Sequence, residues 1–105
     1  MRPHPRQGEI YWANLDPTLG REIRKRRPVL LVSPDELNSV LQTVIAAPVT
    51  STHRPWPSRV AIELRGARRS VALDQIRCIS VERLGRKLAT VNPEPALRIL
   101  REMFA

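Results

Sequence analysis

Short apolar runs, separated by polar stretches that carry proline or glycine, fill most of this chain, and only its C-terminal end shows a helical period. Glu9-Ile10-Tyr11-Trp12-Ala13-Asn14-Leu15 is rich in strand formers and stops at Asp16-Pro17, a turn signal. Thr18 to Arg27 has almost no apolar content and reads as a long charged loop. Pro28-Val29-Leu30-Leu31-Val32-Ser33 is a near-continuous apolar run, which predicts a strand buried on both faces. Ser33-Pro34-Asp35-Glu36 predicts a short helix, with Ser33 as its N-cap and Pro34 in its first turn. Thr43 to Val49 predicts a third strand, and Thr50 to Ser58 a second polar loop. Arg59 to Leu64 alternates cleanly and predicts a half-buried strand. Gly66 to Arg69 reads as a turn, and Ser70–Leu73 and Arg77–Val81 as strands around Asp74-Gln75. Gly85 is expected to break the next segment, leaving a last short strand over Lys87 to Val91.

The period then changes. Asn92-Pro93-Glu94 has the residues of a helix start, and Leu97, Leu100 and Phe104 repeat on one side, flanked by Ile99 and Met103. Arg98 and Arg101 fall on the other side. Strands are not interleaved with helices, which argues against a parallel sheet of βαβ units. The expected fold class is mainly β (α+β): a small antiparallel barrel with a C-terminal amphipathic helix. Residues 1–7 hold Pro3 and Pro5 with nothing to pack and read as a loose N-terminal tail, and residues 8–105 as a single domain.

Composition narrows the class. The 105 residues fit one domain, and the 42% apolar content suits a folded chain. No apolar run approaches the roughly 18 residues of a membrane span, and no signal core follows the basic start, so a cytoplasmic protein without a membrane is expected. Cys78 is the single cysteine, so no intramolecular disulfide is possible. With two His and few Asp, neither metal nor other cofactor is expected. Eighteen Lys and Arg against ten Asp and Glu leave a net charge of +8, which favours a polyanionic partner. Arg21, Arg24, Lys25, Arg26 and Arg27 all lie in the first loop. Such a run is usually a solvated face, and Arg-rich composition also reflects genome bias.

At this point the residues resemble a known family. Gly8-Glu9-Ile10-Tyr11-Trp12, Leu15-Asp16-Pro17-Thr18, Gly20, Glu22, Arg27-Pro28 and Val32-Ser33-Pro34 are similar to the opening block of the MazF/PemK toxins of bacterial toxin–antitoxin modules. Ala47-Pro48-Val49-Thr50-Ser51 and Ala72-Leu73-Asp74-Gln75-Ile76-Arg77 resemble the second and third blocks, and Leu97-Arg98-Ile99-Leu100 the final helix. Blocks in order and in register across one small domain are a specific signal.

The resemblance implies an SH3-like, plasmid-maintenance-toxin barrel, a homodimer, and an acidic MazE-like antitoxin that occupies the RNA groove. It implies a metal-independent endoribonuclease, an mRNA interferase that cuts single-stranded RNA within short motifs. The products are a 2′,3′-cyclic phosphate and a 5′-hydroxyl. The catalytic pair maps to Arg27 and Thr50, and the loop Glu to Glu22. Candidate RNA contacts are Arg21, Arg24, Lys25, Arg26, Ser51, His53, Trp56 and Gln75. This chain departs from the family at Arg24-Lys25-Arg26, where a small residue is common, and at Ile23, where Gln is common.

Read for its chemistry alone, Arg27 suits a phosphate and is a candidate donor to the leaving 5′-oxygen, because a guanidinium forks onto two oxygens but stays protonated and is a poor base. Glu22 is the candidate base, or the group that orients Arg27. His53 reads as an exposed loop His, Trp56 as a ring that stacks on a base or covers the barrel end, Trp12 as core, and Cys78 as a small buried hydrophobe. Two other classes remain beside the nuclease. One is a CcdB-like, non-enzymatic toxin that binds DNA gyrase, to which Met103-Phe104-Ala105 is an imperfect match. The other is a basic nucleic-acid-binding module without chemistry.

Overall fold

The computed structural model describes residues 4–15, 20–21, 23 and 25–105. Among them the chain runs β1 (Glu9–Asn14), β2 (Arg26–Leu31), α1 (Asp35–Asn38), β3 (Thr43–Thr50), β4 (Arg59–Leu64), β5 (Ala67–Ala72), β6 (Arg77–Ser80), β7 (Leu84–Thr90) and α2 (Glu94–Met103). Short 3-10 turns at Leu73–Gln75 and Val81–Arg83 lead into β6 and β7. Neighbouring strands pair antiparallel in the order β4-β5-β3-β2-β1-β7, and β6 pairs with β3. The sheet curls into a half-barrel with the helix at its C-terminus, as the alternation and the terminal helical period predict.

The continuous apolar run is buried on both faces, as expected. Leu30 and Val32 join Ile10, Ala47, Val49, Val71 and Leu73 on one side. Ala96 of α2 closes that core, with Leu97, Ile99 and Leu100 packed against it. Val29 and Leu31 join Ala13, Leu15, Val44, Ala46 and Ile79 on the other side. Alternate residues of one strand therefore serve two cores, so a register slip of one residue would exchange the two sets.

Several local expectations shift. Ser33 does not cap α1: its Oγ donates to Asn38 Oδ1 (2.5 Å) and accepts from Ile45 N (3.0 Å), tying α1 to β3 from inside. Asn92 does act at the start of α2, where its Oδ1 accepts from Glu94 N (3.1 Å). Gly85 lies within β7 instead of breaking it, because strand pairing to β1 outweighs the residue's flexibility. The turn between β4 and β5 is Arg65-Gly66, both at positive φ (51° and 80°), the backbone of a two-residue hairpin. Arg26 and Arg27 belong to β2, not to the loop, because β1 supplies Asn14 and Ala13 as their partners. At the N-terminus, Gln7 N donates to Asp35 Oδ1 (2.7 Å) and Gln7 Nε2 to Val32 O (2.8 Å), so the stretch just before β1 is tied to α1 and β2.

Glu9 fastens β1 to β7. Its Oε1 accepts from Arg6 N (2.7 Å) and Tyr11 Oη (3.0 Å), and its Oε2 lies 2.8 Å from Lys87 Nζ. Burial pushes this carboxyl up, but the bonds from Lys87, the Arg6 amide and Tyr11 outweigh it and hold it below the usual carboxylate range. Burial, reinforced by the Glu9 charge, pushes the Tyr11 phenol up from 10.0 to about 12. A raised phenol stabilises the fold below its unfolded value of 10.0 and loses that contribution as pH rises through about 12. The lowered Glu9 contributes above its ordinary value of 4.5 and loses its part as pH falls through the depressed one. Tyr11 is the single tyrosine, so tyrosinate absorbance reports on this residue alone. Its midpoint is expected at about 12 in the folded protein. Glu9→Gln should bring it down, though not to the free value, since burial remains. An unchanged midpoint in that variant would show that Glu9 does not act on Tyr11.

Candidate functional site

The registers place Arg27 and Thr50 together. β2 pairs with β3 through Val29↔Pro48, Leu30↔Ala47 and Leu31↔Ala46. Extended by two residues, this register sets Arg27 opposite Thr50. On its other edge Thr50 pairs with Ser70 of β5, and Ser70 with Ala61 of β4. Residues directly opposite share a face, so Arg27, Thr50 and Ser70 form one row across three strands. Of this row, Thr50–Ser70 and Ser70–Ala61 are paired neighbours on strands ~4.8 Å apart. Arg27 and Thr50 are both half-buried, while Ser70 is fully buried.

Three described residues between β1 and β2, Leu15, Ile23 and Lys25, are tied to one another or to the start of β6. Leu15 N donates to Lys25 O (3.0 Å), Ile23 N to Gln75 Oε1 (3.1 Å), and Arg77 Nη1 to Leu15 O (3.2 Å). Lys25 takes a positive φ of 72° there. Gln75, read as a candidate contact, is thus also a partner of Ile23. Arg21, Ile23, Pro48, Asp74, Gln75 and Arg77 line a depression of about 320 Å³. Glu22 and Arg24 lie outside the described residues.

A second concavity, of about 410 Å³, opens between β7 and the β4–β5 hairpin. Arg26, Arg27 and Ser51 line it together with Arg65, Arg69, Arg86 and Trp12, over an apolar floor of Val49, Leu64 and Leu88. A Cβ placed on Gly85 would stand 3.5 Å from Trp12 Cβ and 3.6 Å from Arg26 Nη2. Arg26 thus reaches from β2 across β1 to β7. Arg65, at its positive-φ turn position, donates from Nε and Nη2 to Leu88 O (3.4 Å each), spanning the two sheet edges. Among the described residues none of Arg26, Arg65, Arg69 and Arg86 makes an ion pair with a carboxylate. Sequence reasoning missed Arg65, Arg69 and Arg86, and it placed Trp12 in the core although that ring is only half-buried and lines this site. Nothing local marks the three Arg residues, which come from a turn, β5 and β7 and meet only because the sheet curls.

The Thr50–Ser58 loop is built from side-chain bonds. Thr50 Oγ1 accepts from Thr52 N (3.2 Å), turning the chain sharply after β3. That turn brings His53 back to β5, where its Nδ1 lies 3.1 Å from Ser70 Oγ. Trp56 is half exposed, and the Arg59 guanidinium stacks on it, 4.6 Å from the ring centroid. Arg59 in turn forks onto Asp74, with Nε 2.8 Å from Oδ1 and Nη2 3.2 Å from Oδ2. Ser58 Oγ adds a third bond to Asp74 (2.8 Å). The Arg59 guanidinium, helped by Ser58 against partial burial, holds the Asp74 carboxyl below its usual range. Cys78, expected buried, is an exposed free thiol on β6.

Comparison with known proteins bears on this geometry. The family model described as "PemK-like, MazF-like toxin of type II toxin-antitoxin system" matches residues 6–103. Endoribonuclease MazF6 of Mycobacterium tuberculosis is 54% identical over 46 residues, 43% of this chain and 40% of that one, so the match spans about two fifths of that relative's length. Endoribonuclease PemK of Escherichia coli is 37% identical over 93 residues, 84% of this chain and 70% of the relative. The crystal structure of MazF from Deinococcus radiodurans superposes with a TM-score of 0.83 at 28% identity, covering 97% of this chain and 94% of that one. A MazE–MazF crystal structure from the same bacterium superposes with a TM-score of 0.76, again at 28% identity and with the same coverage.

The Arg59–Asp74 fork can be tested without reference to any activity. Arg59's side chain is only 7% exposed, so Asp74→Ala leaves a largely buried guanidinium unpaired. We expect a loss of about 1–3 kcal/mol in urea unfolding, together with a change in tryptophan emission. Acid should reproduce the emission change in the unaltered protein, because the lowered Asp74 keeps its charge until pH falls through the depressed value. A variant with the original urea midpoint and emission would show that the fork does not hold the loop.

Proposed function

Because the chain belongs to the family of PemK-like, MazF-like toxins of type II toxin–antitoxin systems, we propose that it is an endoribonuclease that cuts single-stranded RNA within short sequence motifs. Relatives that carry the name endoribonuclease support this, and so does the row that brings Arg27 beside Thr50. In the proposed reaction the substrate's own 2′-OH attacks the scissile phosphorus. The products are a 2′,3′-cyclic phosphate and a 5′-hydroxyl, and no metal takes part. The protein then has to align the 2′-oxygen, neutralise charge on the phosphoryl oxygens and move two protons. Arg27 suits the second task with its fork, and the Thr50 hydroxyl adds a donor to the same oxygens. Glu22 takes the 2′-OH proton or orients Arg27.

The concavity lined by Arg26, Arg65, Arg69 and Arg86 shares Arg27 and Ser51 with this site. We assign it to the flanking phosphates of the strand, with Trp12 available to a base. The same guanidiniums suit an acidic antitoxin segment, so antitoxin and RNA compete for one groove. The structures of MazE with MazF in a similar fold support a partner of that kind. The working form is proposed to be a cytoplasmic homodimer.

The deciding experiment incubates the purified protein with a long single-stranded RNA in excess EDTA and maps the ends. Discrete cuts ending in cyclic phosphate are expected, with Arg27→Ala and Thr50→Ala each lowering the rate about 10²–10³-fold. Glu22→Gln should slow cleavage and change its pH profile if Glu22 is the base. A folded sample that leaves RNA intact would move the assignment to gyrase binding or to nucleic-acid binding alone.

The flanking site predicts a separate salt effect. Replacing Arg65, Arg69 and Arg86 by Gln should flatten the plot of log kcat/KM against log salt by about 0.7 for each phosphate that the protein no longer neutralises. An unaltered slope would remove these residues from the RNA path.

A further inference from the structure

Cleavage through the 2′-OH needs a group that protonates the departing 5′-oxygen, and the row across β2, β3 and β5 shows where one stands. In the proposed reaction Arg27 forks onto the phosphoryl oxygens, which leaves the departing 5′-oxygen open to a second donor. His53 follows Thr50 by three residues, and the turn made by Thr52 N on Thr50 Oγ1 (3.2 Å) folds it back over the sheet. Its Nδ1 meets Ser70 Oγ at 3.1 Å, and Ser70 is the residue directly across from Thr50. The ring therefore lies against the residue across from Thr50, on the β5 side of β3, the opposite edge from β2. The residue itself is exposed, and among the described residues no protein group bonds Nε2.

We propose that His53 is the general acid of the cleavage step; the proposal rests on the endoribonuclease reading above. The 2′-oxygen forms its bond to phosphorus as its proton passes to the base. The phosphorus–O5′ bond breaks, and O5′ takes the proton from His53 Nε2. Water then reprotonates the ring. Ser70 is a positioning residue: with Nδ1–H donated to its buried hydroxyl, the imidazolium is held in one orientation with Nε2–H aimed outward. Histidine suits the role because its two ring nitrogens let one bond the anchor while the other donates to the substrate.

A competing reading gives His53 only the task of satisfying the buried Ser70 hydroxyl. Asparagine separates the two, because its amide also bonds Ser70 from about the position of Nδ1 but transfers no proton. The cut site is first mapped on the long RNA. A short single-stranded RNA spanning it is then made with either oxygen or sulfur at the bridging 5′ position, since a thiolate departs without an acid. His53→Asn should cleave the oxygen substrate about 10²–10⁴-fold more slowly than the unaltered protein. On the sulfur substrate its rate should lie within a few-fold of the unaltered protein's. Free imidazole should partly restore His53→Ala on the oxygen substrate, which keeps the test open if the Asn variant folds poorly. An Asn variant of full activity on oxygen, or one equally impaired on both substrates, overturns the proposal. Failure of the unaltered protein to cut the oxygen substrate is a different result and overturns the endoribonuclease reading itself.

Discussion

The antiparallel ladder between β2 and β3 is the constraint on which the rest of this molecule depends. The central residues of both strands are buried, and their alternate residues are committed to two different cores. A slip of one residue would send Leu30 and Val32 to the side that Val29 and Leu31 occupy, and both cores would lose their fit. The register that results also runs on past the apolar residues. Continued past its last pair, Val29 with Pro48, it points Arg27 toward Thr50, which pairs with the buried Ser70 on its other edge. The candidate chemistry thus sits at the strand ends next to the doubly buried ladder.

The described loop residues beside this ladder are held by polar bonds, because those loops have little apolar surface to bury. Gln75 and Arg77, just before and at the start of β6, bond Ile23 and Leu15. Asp74, their neighbour, holds the Thr50–Ser58 loop through Arg59. One short stretch of chain therefore bonds Leu15 and Ile23 on one side and the end of the Thr50–Ser58 loop on the other. Its three polar residues are used inward, as fasteners, as much as outward.

Charge is arranged in the opposite way. The carboxylates that are paired fasten the frame: Glu9 joins β1 to β7, and Asp74 the loop to β4. Arg26, Arg65, Arg69 and Arg86, by contrast, gather around one concavity, and among the described residues none of the four pairs with a carboxylate. Like charges gathered in a concavity weaken the folded state and strengthen the field toward a polyanion. Such an arrangement is explained by a partner and not by the fold. An RNA strand and an acidic protein segment both answer to it, which is why one groove serves substrate and inhibitor in the proposed function.

Much of this was legible in the chain itself. Period-two patterning and a terminal helical stretch are local signals, so β1, β3, β4 and α2 could be read directly, and the blocks around Arg27 and Thr50 pointed to the site. Burial of Pro28–Ser33 on both faces followed from the absence of polar residues in that run. Other features were decided only by packing. Ser33 has the residue type of a cap, yet it bonds Asn38 and β3, because a buried hydroxyl takes whichever partner tertiary contact brings near. Gly85 has the signature of a break, yet pairing to β1 carries β7 through it. Arg65, Arg69 and Arg86 are indistinguishable in sequence from solvated surface arginines, and curling of the sheet makes them one site. His53 looked like an ordinary loop residue until the register showed that its anchor stands across from Thr50. Sequence determines which residues are apolar, and with what period; which distant polar groups meet depends on strand order and register, and these exist only in the folded chain.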